Sequence, residues 1–283
     1  MIRTLRTGIL FVASSASRHA IPKKTCLQAF TTTSTTTTRN RQEVIVVRHG
    51  ETDGNKALRV QGWTDIPLND KGIAQAKASA KAVLGLFKSS PLVCYSSPLL
   101  RAYDTATAIV PRESILCDDA LREWNLGALE GMTKEQAMAR HAEDWSIFSQ
   151  WANPWVPQKD AETPLTKGES MEQLRWRVVT FINTLALQQD AKNEDNQPIL
   201  IVTHGGVLGQ LLRHVVQTNQ KDTTTTYQRP GNACISRFWL DFTTTTTTTS
   251  PNDPQWSIES WADTSHLTGD LAPIAVDYDK PKQ

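Results

Sequence analysis

Short apolar runs alternate with segments of helical periodicity along most of the chain. The run Val44–Val47 is continuous and β-branched, as is typical of a strand that is buried on both faces. In Lys71–Phe87 the apolar residues recur at helical spacing, which predicts a helix with one buried face. The same patterns predict further strands at Leu92–Ser96, Ile115–Cys117, Ile199–Thr203, Ile235–Leu240 and Trp256–Trp261, and further helices at Leu99–Val110, Ser170–Gln189 and Val207–Val216.

The alternation of strands with helices indicates an α/β fold. Residues 125–169 interrupt this alternation and contain three tryptophans. We predict that this segment is a helical insertion over an edge of the sheet. Its tryptophans are Trp145, Trp151 and Trp155.

Residues 1–42 differ in composition from the rest of the chain. They contain seven basic residues and no acidic residue, and they are rich in serine and threonine. This composition is typical of a mitochondrial targeting peptide. A plastid transit peptide, a secretory signal with a short apolar core, and a disordered leader of a cytoplasmic protein are the alternatives. We therefore expect the folded domain to comprise residues 43–283.

Threonine-rich tracts lie at residues 31–38, 223–226 and 243–249. Such tracts offer little apolar surface to bury, so we expect them to be disordered or loop-like. The first is expected to link the leader to the domain, and the other two to be loops on either side of a late strand.

The charge and the cysteine pattern exclude several classes of protein. The formal net charge is +1, and because the leader contributes +7, the remainder is acidic, which argues against non-specific binding of nucleic acid. No stretch approaches the roughly 20 apolar residues that would span a bilayer. The four cysteines are scattered and form no CxxC motif, so zinc and redox motifs are unsupported. We expect no metal site and no cofactor. The oligomeric state stays open.

Two histidines follow strongly apolar predicted strands. Arg48-His49-Gly50 follows the first strand, and His204-Gly205-Gly206 follows Ile199–Thr203. In open α/β sheets, ligands bind beyond the carboxyl ends of the strands. The glycines allow the backbone to approach a ligand, and the amides after them can point at an anion. We therefore predict that both histidines face one anion-binding crevice.

A series of further motifs surrounds these histidines in a fixed order. They are RHGET at residues 48–52, Asn55, QGWTDIPL at 61–68, Gly72, SSPLLRA at 96–102, LRE at 121–123, GES at 168–170 and VTHGG at 202–206. The ordered set resembles the phosphoglycerate mutase-like branch of the histidine phosphatase superfamily, over about residues 43–267. The resemblance implies a three-layer α/β/α sandwich with a mostly parallel central sheet. It also implies that the helical insertion lies over the catalytic face.

The resemblance implies catalytic roles for His49, Glu123 and His204. His49 matches the family nucleophile, which forms a covalent phosphohistidine. Nearby arginines should keep its imidazole neutral by disfavouring a further positive charge. Glu123 matches the general acid, and Glu130 is the alternative. His204 belongs to the phosphate pocket beside the nucleophile.

Phosphate or substrate binding is implied for a larger set of residues. Arginine presents a fork of donors that fits phosphate oxygens, so such a set can act without a metal. The segment after the nucleophile is expected to orient this loop, and the GES turn to cap a helix and contact the substrate. The implied binding residues are Arg48, Gly50, Glu51, Thr52, Asn55, Gln61, Gly62 and Arg101.

We expect a phosphomonoester hydrolase whose partner is a small phosphorylated metabolite. The QGWTDIPL segment, the compact insertion and the GES turn favour a phosphatase, and the insertion carries no adjacent pair of arginines such as a mutase pocket would need. A phosphoglycerate mutase is the alternative. A phosphoprotein phosphatase and a non-catalytic scaffold are further alternatives.

Overall fold

The computed structural model describes residues 37–87, 93–190, 197–219, 226–245 and 253–273. The predicted targeting peptide therefore lies almost entirely outside the described residues, and it stays a prediction. Within these ranges, no helix has the length and apolar character needed to cross a membrane.

The described elements alternate as the sequence predicts, with three short helices between α3 and α7. The strands are β1 (Thr37–Arg48), β2 (Cys94–Ser96), β3 (Ile115–Cys117), β4 (Ile199–Thr203), β5 (Ile235–Thr245) and β6 (Gln255–Asp263). The helices are α1 (Asp53–Lys56), α2 (Asp70–Leu84), α3 (Leu100–Thr107), α4 (Lys134–Arg140), α5 (Ala142–Phe148), α6 (Gln158–Glu162), α7 (Met171–Asp190) and α8 (Gly205–Thr218).

The six strands form one sheet in the order β3-β2-β4-β1-β5-β6. The first four of these run parallel, while β5 is antiparallel to β1 and β6 is antiparallel to β5. The predicted mostly parallel sheet is confirmed. Because β1 and β4 are neighbours, with Arg48 opposite Thr203, the residues that follow them emerge side by side at the same edge.

The central strands bury both of their faces. Val44 and Val46 of β1 belong to one core, which they share with α7, α8 and the insertion. Ile45 and Val47 belong to a second core on the opposite face, together with residues of α2 and α3. This explains why β1 is a continuous apolar run, and it confirms the sandwich of a sheet between two helical layers.

The insertion contains the three short helices α4, α5 and α6. Trp145 and Trp151 are buried in the first core, and Trp155 is half-buried. The insertion thus contributes large aromatic side chains to the core, and three of its residues, Leu126, Phe148 and Trp151, line the pocket described below.

The structure differs from two predictions, the start of the folded domain at residue 43 and the loop character of the threonine tracts. Strand β1 begins at Thr37, so residues 37–42 belong to the sheet and the domain starts before residue 43. The ends of two threonine tracts also pair with each other, Thr37 with Thr245 and Thr38 with Thr244. The physical reason is that β-branched threonine suits an extended strand once a partner strand supplies its hydrogen bonds.

Candidate active site

The imidazole of His49, at the expected nucleophile position, has a defined tautomer. His49 follows β1 and is only 2% exposed. Its Nδ1 lies 2.7 Å from the carbonyl oxygen of Gly50. Because a carbonyl only accepts hydrogen bonds, Nδ1 carries the proton, and Nε2 keeps its lone pair. His49 therefore has a nucleophilic nitrogen that needs no base to activate it.

His204 follows β4 and is fully buried beside His49, with 5.1 Å between the ring centroids. Its Nε2 lies 2.7 Å from Oγ of Ser97. Its Nδ1 is buried and has no hydrogen-bond partner among the described residues. The two histidines thus lie together as the sequence predicts.

Two arginines flank the histidines. Arg101 on α3 donates to the carbonyl oxygens of Thr64 (2.9 Å) and Gly62 (2.7 Å), and it is 1% exposed. Arg48 donates from Nη1 to the carbonyl oxygen of Pro230. The Nε atoms of both arginines are buried and have no partner among the described residues. Buried cationic donors without partners are costly, so this arrangement suits a bound anion.

Burial and the arginines set the charge of the site. Burial, with Arg101 and Arg48 adding to it, lowers the pKa of His49 well below its usual value of 6.5. Burial and Arg101 lower the pKa of His204 in the same way. Burial also lowers the pKa of Arg101 to about 10. At neutral pH both imidazoles are therefore uncharged while Arg101 is still a cation.

Asn55 presents an amide group to the pocket. Thr52 caps α1. The side-chain oxygen of Asn55 accepts from the backbone N–H of Thr52 at 3.2 Å. Nδ2 of Asn232 donates to the same oxygen at 3.1 Å. With its oxygen occupied, the NH₂ group of Asn55 is the part left to donate to an anion. Sequence reasoning missed Asn232, whose turn before β5 shows no motif of its own.

Glu123 lies in the loop before the insertion, and its carboxylate is beside the N-terminus of α8. One carboxylate oxygen accepts from the N–H of Trp124 at 2.8 Å, and the other from the N–H of Gly206 at 3.3 Å. A Cβ on Gly206 would lie 2.4 Å from a carboxylate oxygen of Glu123, so a larger residue there would displace this carboxylate. Glu123 and His49 line the same pocket, which suits the predicted general acid.

Glu130 is occupied elsewhere. Its carboxylate accepts from the N–H of Trp63 (2.8 Å), the hydroxyl of Thr64 (2.8 Å) and the N–H of Leu126 (3.3 Å). It thereby holds the turn at Gly62, and it does not line the pocket. The geometry favours Glu123 over Glu130.

The other predicted binding residues divide into two groups. Gln61 and Gly62 line the pocket. Gly50, Glu51 and Thr52 are not among the described lining residues, and substrate binding by these three stays a prediction. Their polar groups are used within the fold: the N–H of Gly50 donates to Thr105, the Glu51 carboxylate accepts from Asn69 and pairs with Lys71, and the Thr52 hydroxyl caps α1.

The pocket is a cleft with a cavity volume of about 60 Å³. Its polar end contains the nucleophile, both arginines, Asn55 and Glu123. No cluster of histidine, cysteine or carboxylate side chains that could hold a metal occurs in the part of the chain that the structure describes. The remaining described lining residues of the pocket are Arg59, Val60, Gln61, Gly62, Trp124, Leu126, Phe148, Trp151, Gly205 and Gly206.

The lowered pKa values predict that acid destabilises the fold. In the unfolded chain each histidine takes up a proton below about pH 6.5, whereas buried His49 and His204 do not. The unfolded state then binds more protons, so the free energy of unfolding falls as pH falls, by up to about 1.4 kcal/mol per pH unit for each histidine.

Urea unfolding at pH 7.5, 6.0 and 5.0, in phosphate-free buffer, measures this effect. The variant His49→Gln removes one of the two groups and should show a shallower dependence on pH. A stability that is constant or rises between pH 7.5 and 5.0 would contradict the neutral, buried state of the two histidines.

Comparison with known proteins gives the following matches. A family model described as the histidine phosphatase superfamily, branch 1, matches residues 44–262. The metal-independent phosphoserine phosphatase of Arabidopsis thaliana is 33% identical over 231 residues, which are 80% of this chain and 83% of that protein. Phosphoglycerate mutase-like protein 4 of the same plant is 32% identical over 228 residues, 80% of this chain and 86% of that protein. The solved structure of native mycobacterial glucosyl-3-phosphoglycerate phosphatase has a TM-score of 0.60 and 26% identity, and the match covers 79% of this chain and 99% of that chain.

Proposed function

The chain belongs to branch 1 of the histidine phosphatase superfamily, and on that premise we propose that it hydrolyses small phosphorylated carboxylic acids through a phosphohistidine on His49. The observation that carries the proposal is a group of three buried nitrogen atoms beside the nucleophile. They are Nε of Arg48, Nε of Arg101 and Nδ1 of His204, none with a partner in the described part of the chain. A phosphoryl group would give each of them a hydrogen-bond acceptor.

The first half-reaction transfers the phosphoryl group to the enzyme. Nε2 of His49 attacks phosphorus, and the bond between phosphorus and the ester oxygen breaks. The carboxylic acid of Glu123 gives its proton to the departing alkoxide, which leaves as an alcohol. The arginines and Asn55 stabilise the charge on the transferred group, which is the main requirement for phosphoryl transfer.

The second half-reaction releases phosphate. The Glu123 carboxylate takes a proton from water while the water oxygen attacks the phosphohistidine. The bond between phosphorus and Nε2 then breaks, which restores the neutral imidazole and the carboxylic acid. Because the same carboxyl group serves both steps, no metal-bound water is required.

The walls of the pocket favour a phosphatase over a mutase. A mutase needs cations for a second phosphate group, but the described lining residues of the insertion are the apolar Leu126, Phe148 and Trp151. Beyond the phosphate-binding set, Arg59 is the cation among the described lining residues. One further cation suits a carboxylate better than a second dianionic phosphate.

Arg59 supports the choice of substrate class. Its Nη1 donates to the carbonyl oxygen of Gly131 at 2.8 Å, which anchors the side chain at the pocket and leaves the other guanidinium donors available. Two of the similar proteins are named for phosphoserine and for glucosyl-3-phosphoglycerate. Both of these esters carry a carboxylate, which Arg59 could bind by charge-assisted hydrogen bonds.

The variant Arg59→Met tests this role with matched pairs of esters. Phosphoserine and phosphoethanolamine differ by one carboxylate, and 3-phosphoglycerate differs from glycerol 3-phosphate in the same respect. We expect kcat/KM for the two carboxylate esters to fall by about 10-fold or more, and that for their partners to change little. Release of inorganic phosphate in the presence of EDTA is the measurement.

Arg112→Met is the matched control, because Arg112 lies beside β3 and does not line the pocket. If wild-type enzyme releases no phosphate from any of the four esters, the phosphatase proposal fails. If the wild-type enzyme hydrolyses both members of each pair equally well, the proposed preference for carboxylate-bearing esters is wrong but the phosphatase proposal stands. The same holds if Arg59→Met lowers all four rates equally.

A further inference from the structure

The segment that contains Glu123 is held by one side chain of α7. Nη1 of Arg177 donates to the carbonyl oxygens of Ala120 (2.7 Å) and Arg122 (2.9 Å). Its Nη2 donates to the carbonyl oxygen of Glu123 at 2.9 Å. Three carbonyl oxygens of one short loop thus converge on a single guanidinium group. Because that group is planar and rigid, it restrains the loop in one conformation.

Glu169 completes this arrangement from the GES turn. Its carboxylate accepts from Nε (3.2 Å) and Nη2 (2.7 Å) of Arg177, and it also accepts from the N–H of Asn125 at 2.9 Å. The carbonyl oxygen of Glu169 accepts from the indole of Trp124 at 2.7 Å. Glu169 therefore neutralises Arg177 and binds the residues that follow the general acid. Glu169 is not among the described residues that line the pocket, and the substrate contact expected of this turn stays a prediction.

The backbone of residues 120–125 is consequently tied at five points to Arg177 and Glu169, counting the three carbonyl oxygens above and the N–H and carbonyl oxygen of Asn125, and the indole of Trp124 adds a sixth bond. Among the described residues, the Glu123 carboxylate accepts from the N–H of Trp124 and, at the longer distance of 3.3 Å, from the N–H of Gly206. The N–H of Trp124 moves with the loop, and the longer bond to Gly206 of α8 is the one that is independent of it. The orientation of the carboxyl group therefore depends on the backbone that Arg177 holds.

We propose that Arg177, paired with Glu169, is a positioning residue that aims the Glu123 carboxyl group at the leaving oxygen. This inference rests on the proposed function, because it concerns proton transfer in the first half-reaction. A small displacement of a catalytic group costs a large part of its contribution to the rate. Loss of Arg177 should therefore reproduce part of the loss of Glu123, while phosphate binding by Arg48 and Arg101 continues.

The test is the variant Arg177→Met, which keeps the aliphatic stem and removes all the donors. On an alkyl phosphate, kcat should fall by about 10-fold to 100-fold, within the range of general acid catalysis. On p-nitrophenyl phosphate, whose leaving group needs no proton, the burst of p-nitrophenolate should fall less than about threefold. The matched control is Arg175→Met on the same helix, since Arg175 pairs with Glu172 and touches none of residues 120–125. It should behave as the wild type.

The double variant Arg177→Met/Glu123→Gln distinguishes a loss of Glu123 positioning from general damage to the fold. If Arg177 acts through Glu123, its removal should cause little further loss on the alkyl ester once Glu123 is already glutamine. An equal loss of rate for both esters, a full additional loss in the double variant, or wild-type behaviour of Arg177→Met would each overturn the proposal.

Glu169→Gln keeps the proposal testable if Arg177→Met does not fold. It preserves the shape of the turn and removes the counter-charge, and the same dependence on the leaving group is expected. Equal losses on both esters, or none, would overturn the proposal in this variant too. A wild-type enzyme that hydrolyses p-nitrophenyl phosphate without forming a phosphohistidine would instead overturn the proposed mechanism. The wild-type experiment therefore distinguishes failure of the Arg177 proposal from failure of the proposed phosphohistidine mechanism.

Discussion

Replacement of His49 by alanine abolishes the covalent phosphoenzyme and lowers turnover of every ester by about 10⁴-fold or more, if the proposed mechanism holds. Nε2 of His49 has a free lone pair, since Nδ1 is bonded to the carbonyl oxygen of Gly50. His204 should not take over the reaction, because its Nε2 is bonded to Ser97 and the proposal uses its Nδ1 as a protonated donor to the phosphoryl group. The loss should therefore be the same for alkyl and aryl phosphates.

The measurement combines turnover with direct detection of phosphohistidine. The enzyme is mixed with a ³²P-labelled ester and quenched in alkaline detergent, because the bond between phosphorus and nitrogen is labile in acid. His141→Ala is the control: this histidine belongs to the insertion, between α4 and α5, and lies outside the pocket. Label on the His49→Ala protein, or turnover within tenfold of the wild type, would show that another group is the nucleophile.

Replacement of Glu123 by glutamine should lower kcat by about 10² or more on an alkyl phosphate. Glutamine keeps the size of the side chain and one oxygen that can accept from the N–H of Trp124, but it loses the second acceptor, which faces Gly206, and it has no acidic proton to give. A nitrophenolate leaves without protonation, so the burst of p-nitrophenol from the aryl ester should fall much less. Steady-state turnover can still fall, because Glu123 also activates the water of the second half-reaction.

Burst kinetics with both esters measures this difference, and Glu130→Gln is the matched control. Glu130 lies in the same segment but bonds the turn at Trp63 and Thr64. Its replacement should affect both esters alike, through the shape of the loop. If Glu130→Gln showed the dependence on the leaving group and Glu123→Gln did not, the two assignments would have to be exchanged.

Much of the fold could be predicted because its signals are local. The continuous apolar runs of β1 and β4 reflect burial on both faces of the sheet, and the spacing in Met171–Asp190 reflects one buried helical face. The observed ends of two helices differ from the predicted ends. Helix α2 ends at Leu84 rather than Phe87, and α3 ends at Thr107 ahead of Pro111, which disfavours helix in the residue before it.

The threonine tracts show the limit of compositional reasoning. A run of threonines offers little to bury, which suggested loops on both sides of the late strand. In the structure Thr243, Thr244 and Thr245 extend β5 by pairing with residues 37–39 of β1. The two segments are some 200 residues apart in the sequence. Such a pairing depends on which strands become neighbours, and no local pattern reports that.

The sequence by itself determined the α/β class, the two histidines at strand ends and the family, because each depends on periodicity or on motifs in a fixed order. Only the tertiary structure decided which polar side chains enter the pocket. Glu51 and Thr52 point into the scaffold whereas Asn55 and Arg59 line the cavity, although all four lie within nine residues. Arg177 and Asn232 reach the site from distant segments. The physical reason is that side-chain direction and long-range hydrogen bonds follow from the strand order and from how the loops pack over it, and neither is written in local spacing.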